Sequence, residues 1–182
     1  MKRGLVVVDL QNEYLPTGKL PLSGIENAVA NAVRVIADAR SKDMPVFHIR
    51  HEFATDEPPA FVPGSHGVEI QPAVAPLENE PVIVKNHINS FRDTDLKSRL
   101  EGSGVEEVVV VGAMSHMCVD AVVRAAADMG YAVTVLHDAC ATLDLAFNGV
   151  SVPAEQVHAA MMAAFEFGYA KVEATESYLS PQ

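Results

Sequence analysis

Three side chains stand where short apolar runs end: Asp9 after Val6-Val7-Val8, Lys85 after Val82-Ile83-Val84, and Cys118 soon after the run Val108 to Gly112. They are an acid, a cation and a nucleophile. A cysteine in the first turn of a helix meets free N–H groups and the positive end of the helix dipole, and a nearby ammonium favours its thiolate further. A carboxylate beside them supplies a proton acceptor and donor. One charged residue closing an apolar run reads as a solvated strand end. Three together read as nucleophilic catalysis, in which Lys85 and the helix end hold Cys118 as thiolate or Asp9 takes its proton.

Neighbouring groups are weighed against the same chemistry. His116 lies two residues before Cys118, and residues two apart on a helix face different ways, so no Cys-His dyad is expected. His48 and His51 are three apart on an extended run and point to opposite faces, which prevents them from sharing one metal. One packed and one surface histidine are expected there. No metal is expected, and His66 becomes relevant only if that expectation fails. Tyr14 and Phe91 follow two of the site segments and are candidates to stack on a substrate. Met114 and Met117 are candidate pocket linings, and Cys140 reads as a small core residue. The first apolar run is followed by Asp9-Leu10-Gln11-Asn12-Glu13 rather than a glycine fingerprint, so a dinucleotide would lack its phosphate cradle. No cofactor is called for.

The elements that must position these residues follow from hydrophobic patterning. Buried parallel strands read as continuous Val/Ile/Leu runs. Such runs occur at Leu5 to Leu10, Val46 to Arg50, Val82 to Lys85, Val108 to Gly112 and Val133 to His137, with a weaker sixth near Tyr169 to Val172. Amphipathic helices are predicted between them. The first opens at Ser23 with Glu26 three residues on, a capping box, and carries Ile25, Val29, Ala32, Val33 and Ile36 to an end near Lys42. A short second helix follows Thr94, with Leu96 and Leu100 on one face and Gly102 as its stop. The third runs from about His116 to Met129, and the last follows Pro153 and ends at Gly168. Strand and helix in alternation imply right-handed crossovers and a doubly wound α/β sheet, with ligands gathered outside the carboxyl ends of the strands. The stretch from Phe53 to Glu80, with Pro58, Pro59, Pro63, Pro72 and Pro76 and with Pro81 at its edge, reads as an ordered loop over the site.

Length and composition set the remaining bounds. The chain has 182 residues, nearly half of them apolar, which suits one domain spanning 1–182. A formal net charge of -11 repels phosphate backbones and anionic lipid. Nucleic acid and membrane are therefore excluded as expected partners. The start has no signal-peptide core, no stretch is long enough to span a bilayer, and two cysteines are too few for a disulfide framework. A cytoplasmic setting is expected.

The motifs VVVDLQN at Val6 to Asn12, KNHINSF at Lys85 to Phe91, GAMSHMCV at Gly112 to Val119 and AAADMGYAVTVLHD at Ala125 to Asp138 follow one another at a specific spacing. In these the sequence resembles the isochorismatase-like hydrolases, which include nicotinamidases and N-carbamoylsarcosine amidohydrolase. The resemblance implies a three-layer α/β/α fold around a six-stranded parallel sheet. It implies Cys118 as nucleophile, Asp9 as general acid/base and Lys85 as the cation paired with Asp9. It also implies a non-proline cis peptide between Ala113 and Met114, oxyanion donors in the N–H groups of Met114 and Cys118, and a homo-oligomer. Family members that cleave vinyl ethers commonly have Gly in place of the cysteine, so Cys118 points to C–N cleavage in a small amide-type substrate: an amide, carbamoyl, ureido or lactam compound. The nicotinamidase metal site places an acid where this chain has Arg50. Hydrolysis of another bond, and an inactive member retained for binding or assembly, are the competing readings.

Overall fold

In the computed structural model, which describes residues 1–55 and 58–180, six strands form one parallel sheet in the order β3-β2-β1-β4-β5-β8. The strands are β1 (Arg3–Val8), β2 (Val46–His51), β3 (Val82–Lys85), β4 (Glu107–Ala113), β5 (Ala132–Ala141) and β8 (Lys171–Glu173). A separate antiparallel hairpin is made by β6 (Leu145–Phe147) and β7 (Val150–Val152). The helices are α1 (Ile25–Ser41), α2 (Leu96–Gly102), α3 (Cys118–Asp128), α4 (Ala154–Gly168) and α5 (Thr175–Leu179).

Strand alternation divides the core in two. Leu5 and Val7 of β1, with Val109 and Val111 of β4, face α1 and Tyr178 of α5. Val6, Val8, Val108 and Val110 face the other way, onto Leu96 and Leu100 of α2, Val119, Val122 and Val123 of α3, and Met162 and Phe165 of α4. Both faces of the central strands are thus covered, which is why they read as unbroken valine runs. Each such side chain, fully buried, contributes about 1.5 to 3 kcal/mol.

The predicted strands all form, with ends displaced by a few residues. β1 stops at Val8, so Asp9 and Leu10 lie beyond the strand, and β5 runs on to Ala141. The capping box does not form. Ser23 instead donates its N–H to the Thr142 carbonyl, and α1 is entered through Gly24, whose φ of 72° is left-handed. Val33 was expected on the buried face of α1 but is exposed, while Ala28, Val35 and Ala39 complete that face. α3 begins at Cys118, two residues later than expected. The loop after β2 contains two short 3-10 turns, at His66–Val68 and Pro72–Val74. Its Asp56 and Glu57 lie outside the described residues.

Strand order reverses between β1 and β4, which are neighbours in the sheet although two strands separate them in the chain. The crevice at such a switch point, outside the carboxyl ends, is where open α/β sheets bind ligands. Asp9 leaves the end of β1 and Cys118 follows the end of β4, on the two sides of that reversal.

Candidate active site

Asp9 directly follows β1 in the left-handed region, with φ 50°. Its N–H reaches the Ile49 carbonyl at 3.1 Å and its own carbonyl accepts from Gln11 N–H at 2.8 Å, so the chain turns sharply across the top of β2. Lys85 is the last residue of β3, and its register partner on β2 is His51. Cys118 is the first residue of α3. The three side chains converge: Lys85 Nζ lies 2.9 Å from Asp9 Oδ2 and donates to Cys118 Sγ at 3.2 Å. Exposure is 0% for Asp9, 1% for Lys85 and 3% for Cys118. Apart from the Lys85 ion pair, neither carboxylate oxygen of Asp9 has a hydrogen-bond partner among the described residues.

Electrostatics at this site favour a protonated resting thiol. Burial raises the Cys118 pKa well above the ordinary thiol value, the Asp9 charge raises it further, and the Lys85 ammonium offsets this only in part. For Lys85, burial pulls downward, but the Asp9 and Cys118 charges outweigh it and the ammonium is held charged above its ordinary value.

The segment joining β4 to α3 is held from several sides. The Ala113–Met114 peptide is cis, as the sequence resemblance implied. Ser115 is buried; its N–H donates to the Ala141 carbonyl at 2.9 Å, and its hydroxyl lies 2.8 Å from His158 Nδ1 of α4. Among the described residues the N–H groups of Met114 and Cys118 donate to no backbone carbonyl. They are free donors at the mouth of a helix.

One histidine expectation changes. His48 and His51 do point to opposite faces of β2, yet both are buried, and neither is a surface residue. His48 Nε2 stands 3.0 Å from Glu80 Oε2, on the side away from the site. His51 Nδ1 stands 3.1 Å from Lys85 Nζ. Strand parity predicted that their faces differ but not what lies on each face. His116 is turned away from Cys118 chemistry, its Nδ1 2.6 Å from Thr142 Oγ1. Cys140 is buried, and burial pushes its thiol up to about 12.

Tyr14 is buried edge-to-face with Phe61, ring centroids 5.1 Å apart. Burial and then the Asp9 and Cys118 charges raise its hydroxyl pKa. Phe91 packs with Ile88 and Met117 against the core cluster that includes Cys118. Gln11, quoted above only as part of a motif, has a definite task. Its Oε1 accepts from His51 N–H at 2.8 Å, and its Nε2 donates to the carbonyls of His51 at 2.9 Å and Val68 at 2.7 Å. It staples the end of β2 to the loop that follows. Asp138 does not reach the site; its carboxylate caps α5 through the Thr175 N–H at 2.8 Å. A depression of about 480 Å³ lined by Arg40, Phe47, Leu77 and Glu80 lies at the amino end of the sheet and touches none of the three converging residues.

Comparison with known proteins agrees with this fold. Residues 3–177 match the isochorismatase domain family. The chain is 47% identical over 179 residues to the isochorismatase family protein YddQ of Bacillus subtilis (strain 168), covering 98% of this chain and 99% of that protein. It is 36% identical over 152 residues to a streptothricin hydrolase of Streptomyces noursei, covering 79% of this chain and 51% of that enzyme. The crystal structure of an isochorismatase from Pseudomonas putida KT2440 superposes with a TM-score of 0.89 at 39% identity, over 97% of this chain and 89% of that one. The chain belongs to the isochorismatase family of hydrolases.

Proposed function

We propose that this protein is a cysteine-dependent hydrolase that cleaves a C–N bond in a small amide-type molecule. The observation that carries the reading is the buried contact of one ammonium with both a carboxylate and a thiol, Lys85 Nζ to Asp9 at 2.9 Å and to Cys118 at 3.2 Å. In the first half-reaction Sγ attacks the substrate carbonyl carbon while Asp9 takes the thiol proton. The tetrahedral oxyanion is received by the N–H groups of Met114 and Cys118. Asp9 returns the proton to the leaving nitrogen, the C–N bond breaks, and an acyl-thioester remains on Cys118. Water then attacks the thioester, giving its proton to Asp9. Collapse releases the carboxylic or carbamic acid, and the proton passes back to sulfur.

In this reading Tyr14 and Phe91 flank the substrate. The streptothricin hydrolase relative supports the hydrolytic reading, and Cys118 favours the C–N bond over the vinyl ether. A panel of amide, carbamoyl, ureido and lactam compounds, assayed for ammonia release or ring opening, tests the reading. It expects turnover of at least one class, with a substrate-sized mass trapped on Cys118 when the reaction is quenched in acid. A turned-over compound that leaves no adduct, together with turnover surviving Cys118→Ala, would refute the covalent mechanism.

A further inference from the structure

An ammonium group has three protons and no lone pair, and burial makes each unsatisfied proton costly. Lys85 meets three groups able to receive them: Asp9 Oδ2 at 2.9 Å, Cys118 Sγ at 3.2 Å and His51 Nδ1 at 3.1 Å. We infer that His51 is a positioning residue for the nucleophile, one that accepts the third proton of Lys85, fixes the ammonium between Asp9 and Cys118, and leaves it no N–H to offer to substrate. The inference rests on the reading of Asp9, Lys85 and Cys118 given above.

Several independent features fit that task. Because an ammonium can only donate, Nδ1 must be unprotonated, and the single imidazole proton sits on Nε2. The surroundings enforce a neutral ring: His51 is 3% exposed and lies edge-to-face with Phe53 and Phe61, at centroid distances of 4.6 and 5.4 Å. Burial first, and the Lys85 charge next, hold its pKa down to about 4. Its backbone is clamped on both sides by the buried Gln11 amide, and its register partner on β3 is Lys85 itself. Position, tautomer and charge state are all set by groups other than substrate.

Lys85 is kept charged by Asp9 and Cys118, and a neutral acceptor for its third proton holds that charge against Sγ, where it favours the thiolate of Cys118. Removing the acceptor should therefore make the thiol a weaker acid. The experiment follows iodoacetamide labelling of Cys118 across neutral and mildly alkaline pH, with mass spectrometry to separate it from Cys140. His51→Phe keeps an aromatic ring in the cluster and deletes the acceptor, whereas His51→Asn returns an acceptor near the place of Nδ1. His51→Leu repeats the deletion should the Phe variant not fold.

The expected result is a labelling profile displaced to higher pH in His51→Phe, in the same direction as Lys85→Ala and by less. At a fixed mildly alkaline pH this reads as a loss of about 3- to 10-fold in rate. His51→Asn should recover most of it. A folded acceptor-deleted variant whose profile coincides with that of the parent would overturn this inference alone, as would an Asn variant that stays with the deletion. If Lys85→Ala also leaves the profile unmoved, the reading of Lys85 and Cys118 falls, and this inference with it.

Discussion

A thiol buried beside a carboxylate is a poor acid, and Cys118 is held above the ordinary thiol range by burial first and by Asp9 second, with Lys85 opposing. Its reactivity must then depend on the neighbours that take its proton and steady its charge. Cys118→Ala should abolish turnover and leave thermal stability within about 2 kcal/mol of the parent, because only the sulfur is lost from a packed site. Lys85→Ala should slow alkylation of Cys118 at neutral pH by more than about tenfold, through loss of the cation bonded to the sulfur. Equal alkylation rates in the two proteins would show that Lys85 does not act on the thiol. Asp9, Lys85 and Cys118 were legible in the sequence because each is a functional group at or soon after the end of an apolar run, and strand ends are where α/β sheets gather ligands. His51 was not, since its importance lies in the pairing of β2 with β3, a register that one sequence does not display.

At the scale of elements, the site depends on how closely β1 and β4 approach just before Asp9 and Met114. Gly112 pairs with Val8 there, at φ 130°, and a Cβ on it would stand 2.0 Å from the Val8 carbonyl oxygen. Backbone cannot yield to that contact as a side-chain tip could. Gly112→Ala should cost at least about 3 kcal/mol of stability, read from the denaturant midpoint, and should lower turnover beyond what the lost stability explains, because Asp9 and the nucleophile segment are displaced together. A midpoint unchanged from the parent would show that the strands can part at no cost. The parallel strands were legible from their valine runs, but the β6–β7 hairpin was passed over. Its strands have three residues each and its Phe147 is 84% exposed, so neither length nor burial announces it. The available signal was Asn148-Gly149, both with positive φ, the pair that a two-residue hairpin turn favours. The capping box at Ser23 failed for the opposite reason: a local motif lost to a long-range bond with Thr142.

For the whole molecule, metal and pH are two external variables against which these side chains can be tested. His48 and His51 face opposite sides of the sheet, and among the described residues no group of three His, Cys, Asp or Glu is placed to hold a metal ion. Dialysis against a chelator should therefore leave turnover unchanged, and activity restored only by a divalent ion would contradict the site as described. The pH response has the clearer sign. Burial holds His48, His116 and His158 below the ordinary histidine value and brings His51 to about 4. Each is therefore neutral in the folded state at pH values where the unfolded chain already binds a proton. Stability is then fully present above about pH 6.5 and is lost as pH falls below it. The His51 window alone corresponds to about 3 kcal/mol as an upper bound. Glu80 adds a second loss lower down: burial pushes its carboxyl up, but the Arg40 fork at 2.8 Å, the Leu77 N–H and His48 more than reverse this and hold it at about 2. That contribution is complete above about 4.5 and disappears toward 2. One effect opposes both, because protonation also relieves the self-repulsion of a chain with net charge -11. At physiological salt, however, exposed charges more than about 8 Å apart are largely screened, while the buried histidines are not. The denaturant midpoint should hence be level near neutrality and fall steadily below about pH 6.5. His48→Gln, which keeps a donor for Glu80 but cannot titrate, should reduce the slope of that fall. A midpoint that rises as pH is lowered from neutrality at physiological salt would mean that relief of surface repulsion outweighs the buried histidines.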